Sequence, residues 1–219
     1  MKTEAPIRNP AATRRRLIEA GVALILRQGF HATTVDQVCA EAALTKGSFF
    51  HHFENKEALG RAIISAWSAY GTALYEKAWN GTETDPLVQV HAMIDIMIGF
   101  TQRDEPCVCV IGMIAQELSG TSAVLREDCG RELGVWTTNV ARLLEGAKMR
   151  HPPAQDFDAL EVAWFLNSLW QGSMLVAKTQ PDSTLIRDNL RLAHDYLDRL
   201  FPPTNPLKRK VAKKRKGQA

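Results

Sequence analysis

Apolar residues recur along this chain at spacings of three and four and nowhere alternate with the period of a half-buried strand. The pattern predicts an all-α protein of about nine helices with no internal repeat. Asn9-Pro10 supplies a cap and a proline suited to the first helical turn. The stripe Leu17, Ala20, Gly21, Leu24 and Ile25 follows, and the helix stops at Gly29. Between Thr33 and Leu59 the runs become very short. Thr34 and Gln37 form a capping box for a helix whose Val35, Val38 and Ala42 share a face. After a break at Ala43-Leu44, Thr45 caps a two-turn helix from Lys46 to about His52, and Asn55 caps another that begins at Lys56. Amphipathic pieces this short and this close together read as a helix-turn-helix.

The two-turn helix has two distinct sides. Phe49 and Phe53, four apart, share the side that packs into the small core. Lys46, Gly47, Phe50 and His51 point the other way. A lysine, a small residue, an aromatic ring and a histidine on so short a helix suit a DNA major groove, because Gly47 and Ser48 allow close approach of the backbone. Thr45 and Ser48 add hydroxyls, and the helix N-terminus adds its amides, for phosphate oxygens. His51 and His52 are adjacent and diverge around the helix, which argues against a shared metal ion.

Downstream the helices lengthen. One runs from Lys56 through Trp67 and Tyr70 to about Trp79, before the turn signal Asn80-Gly81. Asp85-Pro86 opens a helix to about Gln102. Its Val90, Met93, Ile94, Met97, Ile98 and Phe100 cover much of the circumference, so it is expected to be buried on more than one side. Residues 103–106 read as a turn, Cys107 to Leu118 as a short apolar helix, and Ser122 to Lys148 as a long one with Trp136 at its centre. After the Pro152-Pro153 stop, Asp156 is expected to cap a helix whose Leu160, Phe165, Leu166, Leu169, Trp170, Met174 and Val176 exceed one stripe. That excess calls for a second copy of the chain to cover it. A last helix is expected from Pro181 to about Phe201.

The net charge of +3 conceals an uneven distribution. Residues 1–57 carry 8 basic and 6 acidic side chains, residues 58–207 carry 12 and 18, and the remainder 7 and none. A polyanion is therefore expected to meet the ends of the chain. The pattern divides it into a helix-turn-helix domain (1–57), a larger helical body (58–203) that the family resemblance given below implies to bind an effector and dimerise, and a disordered basic tail (204–219). No apolar run is long enough to span a membrane and the N-terminus lacks a signal-peptide core, so a cytoplasmic protein is expected. Cys39, Cys107, Cys109 and Cys129 have no finger-like spacing, so neither a metal nor a disulfide framework is expected. The sequence shows no phosphate-cradling glycine loop, HExxH or nucleophile elbow. No cofactor is expected, and an enzyme is disfavoured.

The run Thr45-Lys46-Gly47-Ser48-Phe49-Phe50-His51-His52-Phe53, with Lys56-Glu57 and Leu59, resembles the signature of the TetR/AcrR family of transcriptional repressors. The resemblance covers about fifty residues, from Ala12 to roughly Ile63. It implies a homodimer reading a roughly palindromic double-stranded operator through Thr34, Thr45, Lys46, Gly47, Ser48, Phe50, His51 and Lys56, with Lys56 as a phosphate contact. Phe50 stands where the family usually has a tyrosine, so the packing role is kept and the hydroxyl is not. The helix from Lys56 would act as the lever by which an effector alters the spacing of two heads.

For a small-molecule effector the candidate residues are Trp67, Met93, Met97, Phe100, Cys107, Cys109, Met113 and Trp136, the same bulky and polarizable types that any helical core uses. The stretch Cys109 to Glu117 resembles a segment of a TetR subgroup that includes repressors of reactive-electrophile detoxification, in which a cysteine at the Cys109 position serves as sensor. That implies a repressor released by a small molecule or an electrophile. The alternatives are an activator or nucleoid-type DNA binder, and a helical small-molecule-binding protein or enzyme with only non-specific DNA affinity.

Overall fold

The computed structural model describes residues 9–81, 83–102, 107–180 and 184–202. These form nine α-helices and no strand: α1 (Pro10–Gln28), α2 (Val35–Glu41), α3 (Lys46–His52), α4 (Lys56–Asn80), α5 (Pro86–Phe100), α6 (Val110–Leu118), α7 (Ala123–Arg150), α8 (Ala159–Ala177) and α9 (Leu185–Leu200). No helix among the described residues is long and apolar enough to cross a membrane.

Four of the expected helix starts are capped as the sequence suggests. Asn9 accepts from the Ala12 amide, and Thr34 and Gln37 make both halves of a capping box. Thr45 accepts from the Ser48 amide, and Asp85 from that of Leu87. Each partners a helix-end donor that would otherwise need water. Two starts differ from expectation. The short apolar helix begins at Val110, with Cys109 as an extended N-cap (φ −108°, ψ 117°), so Cys107 and Cys109 do not face opposite sides of a helix. The penultimate helix is capped by Asp158, which accepts from the amides of Leu160 and Glu161, and not by Asp156, whose carboxylate pairs with Lys148. The expected turn at 103–106, the helix start at Pro181 and the basic tail lie outside the described residues.

The described residues form two compact units, one drawn from the spans 1–74 and 108–136 and the other from the spans 75–107 and 137–219. Contacts thus draw the first unit to include α6 and much of α4 and α7, beyond the expected division after residue 57. Its core joins Leu17, Ile25, Phe49, Leu59, Ile63 and Ile114, all almost fully buried. In the second unit Val90, Met93, Ile94 and Met97 of α5, Leu144 of α7, Ala163 of α8 and Leu197 of α9 are likewise buried. On α8, burial of Val162, Leu166, Trp170 and Met174 still leaves Leu160, Trp164, Phe165, Leu175 and Val176 between 44 and 48% exposed. Leu192 and Tyr196 of α9 are exposed as well, and Tyr196 lies 5.3 Å from the Phe165 ring.

Candidate nucleic-acid interface

The turn between α2 and α3 is fixed by local chemistry. Ala43 takes a left-handed φ of 49°, and the Leu44 amide returns to the Cys39 carbonyl at 2.8 Å. Arg16 of α1 donates its guanidinium to the Ala42 carbonyl at the end of α2, tying α1 to the turn that leads into α3. α3 is anchored by Phe49 and Phe53, 0% and 4% exposed, whose rings lie 5.6 Å apart. The Arg14 guanidinium sits 5.2 Å over the Phe53 ring. The sequence places the basic cluster Arg14-Arg15-Arg16 near the start of α1, where it could reach DNA backbone or stand in solvent; the contacts that Arg14 and Arg16 make within the head, and the positive φ of Ala43, carry no periodic signal.

With that side buried, the opposite side of α3 is presented. Thr34, Thr45, Lys46, Gly47, Phe50 and His51 are exposed, Phe50 at 57%, and Ser48 is half-buried. This large aromatic side chain meets the Phe49 ring edge-to-face, 5.3 Å between centroids, and the rest of it stays open on a two-turn helix. Gly47 points to the same conclusion: a Cβ built there meets only the Thr45 hydroxyl, at 3.7 Å. Packing within the chain therefore does not require glycine at this position. Lys46 forms an ion pair with Asp36 at 2.7 Å, and this hydrogen bond and charge hold its ammonium above the usual lysine range. The His52 ring, half-buried beside Arg14 and His51, is held below the ordinary histidine value, first by burial and then by those two charges.

Lys56, the eighth expected DNA contact, is placed differently from the other seven. Its ammonium donates to the carbonyls of Phe30, His31 and Thr33 at 3.1, 3.2 and 2.9 Å and lies 4.7 Å from the Phe30 ring centroid. Three donors meet three acceptors, so the charge is committed to the α1–α2 turn. Burial holds its pKa below the ordinary lysine value, against the pull of Glu117. Glu117 of α6 grips the same turn from its amide side, accepting from Phe30 N–H at 3.1 Å and His31 N–H at 2.6 Å. Gly29 makes room for it: φ is +84°, and a Cβ there would lie 2.5 Å from the Glu117 carboxylate. This clamp joins residues 86 and 87 positions apart, a separation no local pattern reports.

The eight effector candidates are divided between the two units. Trp67, Cys109, Met113 and Trp136 belong to the first unit, and Met93, Met97, Phe100 and Cys107 to the second. Trp67 lies 5.7 Å from Tyr70 and lines a groove of about 680 Å³ with Arg14, Ile18, Val22 and Leu26. Met93 and Met97 are wholly buried, whereas Phe100 is half-buried near Tyr75 and Trp170. The thiols differ. Cys107 and Cys109 are half-buried, while Cys129 is buried and its pKa is pushed up to about 12, mainly by burial and then by Cys109 and Asp128. Burial likewise raises Cys39, with Asp36 adding to the effect. Among the described residues no group of three or more His, Cys, Asp or Glu could hold a metal ion.

An all-helical protein that presents α3 of a helix-turn-helix in this way is a DNA-binding transcriptional regulator. The chain belongs to the TetR family of bacterial regulatory proteins, whose family model matches residues 17–63; residues 86–190 match the C-terminal domain of LmrA/YxaF-like transcriptional regulators. Among its relatives, the transcriptional regulator AcuR of Cereibacter sphaeroides is 28% identical over 75% of this chain and 75% of its own. The HTH-type transcriptional repressor NemR of Escherichia coli K12 is 26% identical over 76% and 84%. A TetR regulatory protein from Rhodobacter sphaeroides superposes with a TM-score of 0.74 at 26% identity, covering 86% of this chain and 98% of its own. The reduced form of E. coli NemR shares the fold, with a TM-score of 0.76 at 24% identity over 89% and 100%.

Proposed function

We propose that the protein is a homodimeric repressor that reads a roughly palindromic operator through α3 and leaves it when a small molecule or an electrophile acts on the larger helical body. The carrying observation is the unused side of α3. Lys46, Gly47, Phe50 and His51 are exposed over a buried Phe49–Phe53 anchor, with Thr34, Thr45 and Ser48 placed as phosphate donors. In this reading Lys56 holds the α1–α2 turn in register for DNA and contacts phosphate only by sharing donors already given to carbonyls.

Dimerisation rests on the exposed apolar residues of α8 and α9. Half-exposed side chains of this size each gain roughly 1 kcal/mol when a second copy covers them. Effector release draws support from relatives named as repressors and from a NemR structure described as reduced. Of the four thiols, Cys107 and Cys109 are the more accessible, whereas Cys39 and Cys129 are buried and held protonated.

The test is binding of the purified protein to DNA upstream of its own gene, in excess competitor DNA at stated salt, followed by addition of a quinone or an aldehyde. Tight, competitor-resistant binding by a dimer is expected, lost on treatment and retained by a Cys107→Ser/Cys109→Ser variant. Weak binding that vanishes with competitor, both at that site and against a random DNA library, would leave only non-specific attraction.

A further inference from the structure

In the second unit, α5 and α9 place two histidines and two carboxylates in a row. His91 Nδ1 lies 2.6 Å from His194 Nδ1, the ring planes differ by 2°, and the centroids are 4.9 Å apart. That separation reaches the largest value the contact allows, the contact plus two ring radii, so the rings meet head to head in one plane and are not stacked face to face. At the outer ends, His194 Nε2 lies 3.1 Å from Asp95 Oδ1 and His91 Nε2 lies 3.7 Å from Asp198 Oδ1.

The distances assign the protons. A neutral imidazole has one N–H and one lone pair. Two lone pairs 2.6 Å apart repel, as do two N–H groups, so one proton occupies the Nδ1–Nδ1 axis. The contact from His194 to Asp95 requires His194 Nε2–H, which leaves its Nδ1 as acceptor. His91 therefore donates from Nδ1, and its Nε2 is bare, in agreement with a contact to Asp198 that is too long for a hydrogen bond. A metal ion bridging the two Nδ1 atoms at ordinary zinc–nitrogen lengths in tetrahedral geometry would hold them about 3.3 Å apart.

We propose that His91 and His194 form an acid-released clasp between α5 and α9, closed by the single proton on the Nδ1–Nδ1 axis and opened when both rings are protonated. The first added proton, taken from solvent, goes to His91 Nε2, facing Asp198, and leaves the axis intact. The second has only His194 Nδ1 to occupy, and there it opposes the His91 N–H directly. The charged groups acting on His91 are His194 and Asp198 from α9 and Asp95 from α5 itself; α8, which also packs on α9, carries within its span only the exposed Glu161 as an ionisable residue. Burial, and then His194, hold His91 below the ordinary histidine value, against the two carboxylates. The sign follows. The unfolded chain takes up protons first as pH falls below about 6.5, so stability drops from there toward the lower folded value. α9 also carries the exposed Leu192 and Tyr196, so release acts on the helix that bears part of the apolar surface.

Long-range proton–nitrogen NMR of the full ¹⁵N-labelled chain tests the assignment, with each ring identified by single glutamine variants. At pH 7.5 His91 is expected as the Nδ1–H tautomer and His194 as the Nε2–H tautomer, and acidification should convert them in two coupled steps. Between pH 7.5 and 5.5 the wild-type melting temperature should fall by about 5 °C more than that of a His91→Phe/His194→Phe variant. Should that variant fail to fold, Asp95→Asn serves instead: removing its exposed acceptor charge should shift the His194 tautomer signal at pH 7.5. The clasp is overturned if both rings are Nε2–H at pH 7.5, if the double variant loses as much stability in acid as the wild type, if Asp95→Asn leaves His194 unmoved, or if EDTA changes the neutral spectrum, which would assign the axis to a metal.

Discussion

Two surfaces of this protein stay largely exposed, and they differ in what they offer. The outer side of α3 shows a cation, a bare glycine, an aromatic ring, a histidine and hydroxyl caps. The outer side of α8, with Leu192 and Tyr196 of α9, shows Leu160, Trp164, Phe165, Leu175 and Val176. The first can pair with phosphates and base edges, and water serves it adequately until DNA arrives. Water serves the second poorly, and the surface suits only another apolar surface. Exposure alone therefore does not identify a partner; the chemistry of what is exposed does.

The largest effect should come from giving the second surface the character of the first. Trp164→Glu/Phe165→Glu places two carboxylates on a surface proposed to meet its own copy. The protein should sediment as a folded monomer, and operator affinity should fall by about 100-fold or more because the heads no longer bind as a linked pair. A monomer with unchanged operator affinity would separate the two surfaces functionally and remove the case for dimeric reading.

Gly47→Leu comes next and tests α3 in isolation. A side chain here enters open space, and leucine favours helix over glycine, so stability should stay level or rise by up to about 1 kcal/mol. Operator binding should nevertheless drop about 30-fold, because the added bulk stands where a groove would approach. Thermal melting and a competition binding assay, run side by side, give both readings.

How much of this was legible in the sequence depended on distance along the chain. α3, its cap Thr45, the buried Phe49–Phe53 pair and the exposed Phe50 follow from spacings of three and four and are present as expected. The excess apolar character of α8 is likewise a property of one segment. The Lys56–Glu117 clamp and the His91–His194 pair were not legible, since their members lie 61 and 103 residues apart and carry no periodicity linking them. Adjacent His51 and His52 stand out in the sequence, and their rings are nearly perpendicular. The start of α6 was missed for a local reason: Cys107, Val108 and Cys109 are apolar enough to extend the pattern, yet the backbone at Cys109 is extended.

Lys46→Ala should cost about tenfold in operator affinity at moderate salt. It should also lower the slope of log affinity against log salt by about 1, the signature of one lost phosphate contact. A loss confined to one operator variant, with the slope unchanged, would instead make Lys46 a base reader. Either outcome sharpens the contrast with α8, where salt should have little influence on association.

The smallest effect is the most discriminating, because it asks what Asp36 does for Lys46. The two side chains meet at 2.7 Å while 66% and 63% exposed, and such pairs contribute at most a fraction of a kcal/mol. In the free protein the pair therefore matters little to folding, although Asp36 also lies in the first turn of α2, where a carboxylate is favoured. On DNA its carboxylate faces the phosphates and competes for the lysine. Asp36→Asn should then raise operator affinity about threefold at low salt, with the gain shrinking as salt rises. Melting temperature should barely move. If affinity falls instead, with wild-type stability, the carboxylate is acting as a brace that aims Lys46 into the groove. In that case the side chains of α3 are positioned before DNA arrives, whereas the α8 surface would still be organised only by contact with its own copy.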